Sequence, residues 1–169
     1  SQELPWELSG TTIKKIKLPV DEYLNAAVNI EPINFQAQGK RLTGSVNLQS
    51  KIQSALWVKK PDFSAEMTFD ETQVYLNHLT LLLNEHGKII ATGTSVISPP
   101  YKPEINISWQ DIDVYPLIQQ YDVSSKLSGS GIIVTDWSTS LDQLTLKDVK
   151  TEGTINGFQA HLNIDAQWN

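Results

Sequence analysis

Phe158-Gln159-Ala160-His161-Leu162-Asn163-Ile164-Asp165-Ala166-Gln167-Trp168 is the stretch whose reading decides the fold. Apolar and polar residues alternate through all of it. Side chains on a strand point to opposite faces in turn, so a strand here has one oily face and one wet face. The same period of two returns upstream. Val46, Leu48, Ile52, Leu56 and Val58 share one parity, with Asn47, Gln49, Lys51 and Gln53 on the other. Phe63, Ala65, Met67 and Phe69 alternate with Ser64, Glu66 and Thr68. Ile105, Ile107 and Trp109 repeat the pattern after the breaker Ser98-Pro99-Pro100-Tyr101-Lys102-Pro103. The pattern predicts an all-β, antiparallel protein of about nine to eleven strands.

Composition agrees. Asn and Gln number 22 and Ser and Thr 28 of 169 residues, a neutral polar set that suits the wet faces of sheets. With no cysteine there is no disulfide framework, thiolate metal site or cysteine nucleophile. A net charge of −6, with Arg41 the single arginine, argues against a nucleic-acid surface, which needs clustered cations. Apolar runs such as Leu81-Leu82-Leu83 fall far short of the roughly 20 residues that span a bilayer.

Two kinds of segment depart from strict alternation. Val74–Leu83 and Gly131–Val134 carry apolar residues on both parities, as a strand covered on both faces or interrupted by a bulge would. In 113–121, Val114, Leu117, Ile118 and Tyr121 mark one face of a short helix, with Asp113 as N-cap and Pro116 in the first turn. A second, weaker helical pattern covers Val20–Val28. A Leu-[Ser/Thr]-Gly-[Ser/Thr] phrase recurs at Leu8–Thr11, Leu42–Ser45 and Leu127–Ser130, each leading into an extended segment, as in a sheet grown by similar hairpins.

Catalytic patterns are not found. His78, His86 and His161 have no metal-ligand spacing. Asp111 and Asp113 are two apart, as a carboxylate pair might be, but Asp113 is better used as a helix cap. Ser128-Gly129-Ser130-Gly131 lacks the Gly-Lys-[Ser/Thr] ending of a phosphate loop. Asn106-Ile107-Ser108 is a glycosylation triplet within a predicted strand. Among the five tryptophans, Trp57 (off its strand's apolar parity) and Trp137 (in a loop-like Asp136-Trp137-Ser138) are the two candidates for a sugar-stacking role. What remains is the oily face, which is covered by folding into a sandwich or barrel or left as an apolar groove for a lipid-like ligand.

Trp109-Gln110-Asp111-Ile112-Asp113-Val114-Tyr115-Pro116-Leu117-Ile118, followed by Leu127-Ser128-Gly129-Ser130-Gly131-Ile132, resembles the AsmA-like superfamily, which includes the TamB and YdbH types. There a strand ending in a Val/Ile-Asp phrase leads into a short helix and a Leu-x-Gly-x-Gly strand start. The cadence Leu144-Thr145-Leu146, Gly153-Thr154-Ile155 and Gln159-Ala160-His161-Leu162 is also similar to that family's repeating hairpins. The resemblance is best over 104–169 and looser over 4–97. It implies a periplasmic part of an inner-membrane-anchored envelope protein of Gram-negative bacteria. It also implies a curved half-tube or taco-shaped sheet, phospholipid acyl chains as cargo, and an outer-membrane barrel protein or lipoprotein as partner. No catalytic residue, metal or cofactor comes with it. Residues 1–169 then read as one β domain from a longer chain, whose membrane contacts lie elsewhere in the parent.

The expected function is non-enzymatic: a hydrophobic groove forming a segment of a phospholipid conduit between inner and outer membranes. Its lining is expected from the single-parity residues Val46, Leu48, Ile52, Leu56, Phe63, Ala65, Met67, Phe69, Ile105, Ile107, Ala160, Leu162, Ile164 and Trp168. Capture of an unfolded outer-membrane strand by β-augmentation is the first rival, and a carbohydrate-binding sandwich the second.

Overall fold

The computed structural model describes residues 5–11, 16–19, 27–30, 33–40, 42–53, 62–83, 86–115, 123–137 and 141–168. Its strands are β1 (Pro5–Thr11), β2 (Ile16–Pro19), β3 (Ala27–Ile30), β4 (Asn34–Lys40), β5 (Thr43–Gln53), β6 (Asp62–Phe69), β7 (Gln73–Leu82), β8 (Lys88–Val96), β9 (Glu104–Ile112), β10 (Ser125–Trp137), β11 (Leu141–Ile155) and β12 (Phe158–Trp168). All pair antiparallel in the order β1-β4-β5-β6-β7-β8-β9-β10-β11-β12. β3 continues the line of β4 along the edge of β5, and β2 pairs with β3 as β1 pairs with β4. The twelve strands therefore make ten successive rows, an up-and-down meander in chain order.

The sheet is a single layer. Among the described residues, strands touch substantially only their hydrogen-bonded neighbours, and only Ala65, Leu83 and Ala91 are buried apolar side chains. Its accessible surface is 11632 Å². A compact protein of 18.9 kDa would expose about 8,300 Å². The all-β expectation holds, but the sheet is open and uncurled rather than a half-tube. Curling into a groove brings large side chains together across it. Here three of the large side chains, Trp6, Phe35 and Trp109, lie over glycines of neighbouring strands.

The helix expected over 113–121 falls mainly outside the described residues, which reach Tyr115. Within the described part, Asp113 Oδ1 accepts from Tyr115 N–H at 3.0 Å. The same oxygen accepts from Ser125 N–H at 3.1 Å, which fastens the segment to the start of β10. Of the weaker Val20–Val28 pattern, 20–26 also lie outside, and Ala27 and Val28 are strand, not helix.

Hairpin turns carry the remaining order. Between β6 and β7, Asp70 Oδ1 accepts from Thr72 N–H (2.7 Å), Thr72 Oγ1 (2.8 Å) and Gln73 N–H (2.9 Å). These donors, the Thr72 amide foremost, hold the Asp70 carboxyl below the usual carboxylate range. Asn156-Gly157 joins β11 to β12 with both residues at positive φ (49° and 81°), the geometry that a two-residue hairpin loop requires.

Candidate functional site

Paired residues in an antiparallel ladder share a face, so the register shows which side chains the sheet gathers. One row crosses the whole sheet through partner after partner: Leu8, Ala37, Val46, Met67, Leu76, Gly93, Ile105, Ile133, Leu146 and Ala166. None of the ten is polar. The next row runs Gly10, Phe35, Leu48, Ala65, Leu79, Ala91, Ile107 and Gly131. It continues on the same face with Val149 and its partner Ile164. A third runs Ser50, Phe63, Leu81, Ile89, Trp109, Gly129, Thr151 and Leu162. No charged residue holds a paired position on this face in β1 or β4–β12. Glu7, Lys51, Asp62, Glu66, Lys88, Glu104, Lys147, Lys150 and Glu152 all lie on the opposite one, where Lys51 Nζ meets Asp62 Oδ1 at 3.4 Å.

The expected lining residues therefore meet. Val46, Leu48, Phe63, Ala65, Met67, Phe69, Ile105, Ile107, Ala160, Leu162, Ile164 and Trp168 share the apolar face. Ile52 pairs through its backbone with Ile30. Leu56 lies outside the described residues. The arrangement adds many that parity alone leaves out, among them Trp6, Leu8, Phe35, Leu76, Leu79 and Leu146.

Bulges put Leu76, Leu79 and Leu146 on mixed parities in the sequence. In β7, Val74 and Leu76 sit on even positions and Leu79 and Leu81 on odd ones. A register shift between Leu76 and Leu79 returns both pairs to one face. Of the two readings left open for Val74–Leu83, this is the bulge. β11 repeats the device: Leu146 and Val149 share the face across a shift in which Asp148 takes φ 51° and donates its N–H to Asp165 Oδ1 at 2.7 Å. Asp111, φ 52°, does the same in β9, its N–H donating to Ser128 Oγ. Gly131–Val134 fits neither reading: β10 runs there in unbroken register with β9, and Ile132 and Val134 point to the wet face of the single layer, opposite Asn106 and Glu104.

Glycines pave the apolar face. Trp6, Gly39, Gly44 and Phe69 occupy consecutive partner positions, and the indole of Trp6 crosses both glycines to stack on Phe69 with centroids 6.1 Å apart. A Cβ on Gly39 or Gly44 would stand 2.5 or 2.7 Å from Trp6 Cζ2. Phe35 lies over Gly10 and Trp109 over Gly129 in the same way. Gly10, Gly44 and Gly129 are the glycines of the three repeated Leu-[Ser/Thr]-Gly-[Ser/Thr] phrases. The repeat thus marks places where a strand gives up its side chain so that a neighbour's ring can lie flat.

The other candidates are dispersed. His161 is on the wet face of β12 and His78 on that of β7. Among the described residues no group of His, Asp and Glu is placed to hold a metal. Asp111 is spent on Lys126 Nζ (3.5 Å) and Asp113 on its loop. Trp57 lies outside the described residues, and Trp137 ends β10 opposite Leu141 rather than standing in a loop. Comparison with protein-family models, with curated proteins and with solved structures finds no match.

Proposed function

We propose that the apolar face binds lipid acyl chains and forms one segment of an envelope conduit that passes phospholipids between inner and outer membranes. The carrying observation is the uninterrupted apolar row from Leu8 to Ala166. Ten strands spaced about 4.8 Å apart make that row about 43 Å long, room for two acyl chains end to end. A chain lying on a flat face buries roughly half of each methylene, so sixteen carbons gain roughly 6 kcal/mol at about 0.8 kcal/mol per fully buried CH2. That corresponds to binding in the tens of micromolar, weak enough to release cargo along its path. Headgroups stay in water, and no hydrogen-bonding residue is needed for selection. The envelope setting rests on the resemblance to the AsmA-like superfamily, with a barrel protein or lipoprotein as the receiving partner.

Among the described residues β1 and β12 each pair along one edge only, which favours a second reading, in which an extended segment of an outer-membrane protein adds to the sheet. A photo-reactive residue at Leu162 or Ile107 decides between the two. Phospholipid adducts support the conduit; adducts to polypeptide alone refute it. Leu162→Asp sets a charge on the face at an exposed position and is expected to abolish lipid transfer with the fold intact. Transfer that survives the substitution refutes the assignment.

A further inference from the structure

β12 reads almost the same in both directions. Folded about Asn163, the strand sets Phe158 opposite Trp168, Gln159 opposite Gln167, Ala160 opposite Ala166, His161 opposite Asp165 and Leu162 opposite Ile164. Antiparallel pairing of two identical strands is what places residues in that relation. In this register every pair matches in kind: ring with ring, amide with amide, aliphatic with aliphatic, and imidazole with carboxylate. A shift of two residues either way breaks the match, setting Asp165 against Gln159 or Asn163 and leaving Trp168 opposite Asn156 or Ala160.

Among the described residues, β11 is the one strand that pairs with β12. Phe158 is 78% exposed, Leu162 52% and Trp168 53%. Asp165 is steadied by the Asp148 amide of β11 rather than spent on a cation. We infer that β12 is a homodimer edge, at which a second copy of this chain adds antiparallel about a two-fold axis through Asn163. The axis stands normal to the sheet, because paired residues share a face. Two copies then form one continuous sheet whose apolar faces lie on the same side. The inference does not depend on what that face carries.

The chain's lack of cysteine makes the register directly readable. Residues 163 of two copies would face each other within the roughly 7 Å that a disulfide allows between Cα atoms. Residue 159 of one copy lies about 27 Å from residue 159 of the other, at about 3.4 Å per residue over eight residues, but opposite residue 167. On mild oxidation at low micromolar concentration, Asn163→Cys is expected to convert to covalent dimer. Gln159→Cys and Gln167→Cys are expected to stay monomeric alone and to cross-link when mixed. All three positions are on the wet face, and circular dichroism confirms the sheet in each variant. His161→Asp opposes two carboxylate pairs across the axis and is expected to weaken the dimer at least tenfold by sedimentation, while His161→Lys tightens it. A chain that sediments as a monomer at 100 times that concentration overturns the proposal, as does cross-linking of Gln159→Cys alone equal to that of Asn163→Cys.

Discussion

Truncating Leu162 separates what the apolar face gives to folding from what it holds in reserve for a ligand. Complete burial of a leucine side chain stabilises by about 2 kcal/mol. Leu162 is 52% exposed, so roughly half of that is already realised against its neighbours in β11 and β12. The other half, about 1 kcal/mol, is left for whatever covers the face. Leu162→Ala is therefore expected to cost about 1 kcal/mol in urea unfolding and to raise the Kd for a fluorescent long-chain fatty acid about fivefold. Leu8, 61% exposed on the opposite edge of the sheet, repeats the test far from β12. Ala91 is the control: at 6% exposure it has no surface left to offer. Ala91→Gly should lower stability by about 1 kcal/mol and leave the Kd where it was. A Kd unmoved by Leu162→Ala and Leu8→Ala, or one shifted by Ala91→Gly, refutes the placing of the ligand on this face.

Other outcomes follow from the turns and the glycines. Gly44→Val drives a side chain into Trp6 and Phe69, and is expected to cost about 2–3 kcal/mol and to erase the aromatic near-ultraviolet circular dichroism of that stack. Gly157, at φ 81° in open space, pays only for conformation, so Gly157→Ala should cost about 1 kcal/mol. Gly153→Ala should cost more, because its Cβ would also run into the Lys126 carbonyl; equal losses in thermal unfolding would refute that account. Asp70→Ala removes the acceptor of the β6–β7 turn and should lower the unfolding midpoint at neutral pH. Because folding depresses the Asp70 pKa, its contribution is present above the usual carboxylate value and lost as pH falls through the folded one. The difference between wild type and variant should therefore vanish in strong acid, and a difference that persists there contradicts the linkage.

Much of this was legible in residue order wherever a strand kept one register. β6, β9 up to Trp109 and β12 alternate cleanly, and their apolar parity is the apolar face. β7 and β11 do not, because a single extra residue flips the parity in mid-strand. Leu76 and Leu79, or Leu146 and Val149, look like opposite faces in sequence and are neighbours on the sheet. Nothing about a lone aspartate such as Asp148 announces the left-handed φ that makes the flip. Asn156-Gly157 did carry a turn signal, one the alternation of the flanking strands overshadowed. The glycines of the repeated phrases read as strand starts, since the rings that cover them come from neighbouring strands and only the register brings the two together. Trp137 read as a loop residue because alternation stops at Asp136, yet the ladder runs one pair further. The half-tube was an expectation about how strands meet across a groove, and alternation within a strand carries no information on that.

A single-layer sheet in chain order has a mechanical consequence. Each inner row is tied only to the rows before and after it, as in a linear repeat array. Pulled at Trp168, the described sheet has no second layer to share the load, so β12 peels first and its neighbours follow in turn. Releasing β12, 11 residues long, pays out about 37 Å of chain. Under force spectroscopy the sheet would lengthen as a staircase of small ruptures, each one ladder wide, where a sandwich of the same strands would yield in one break.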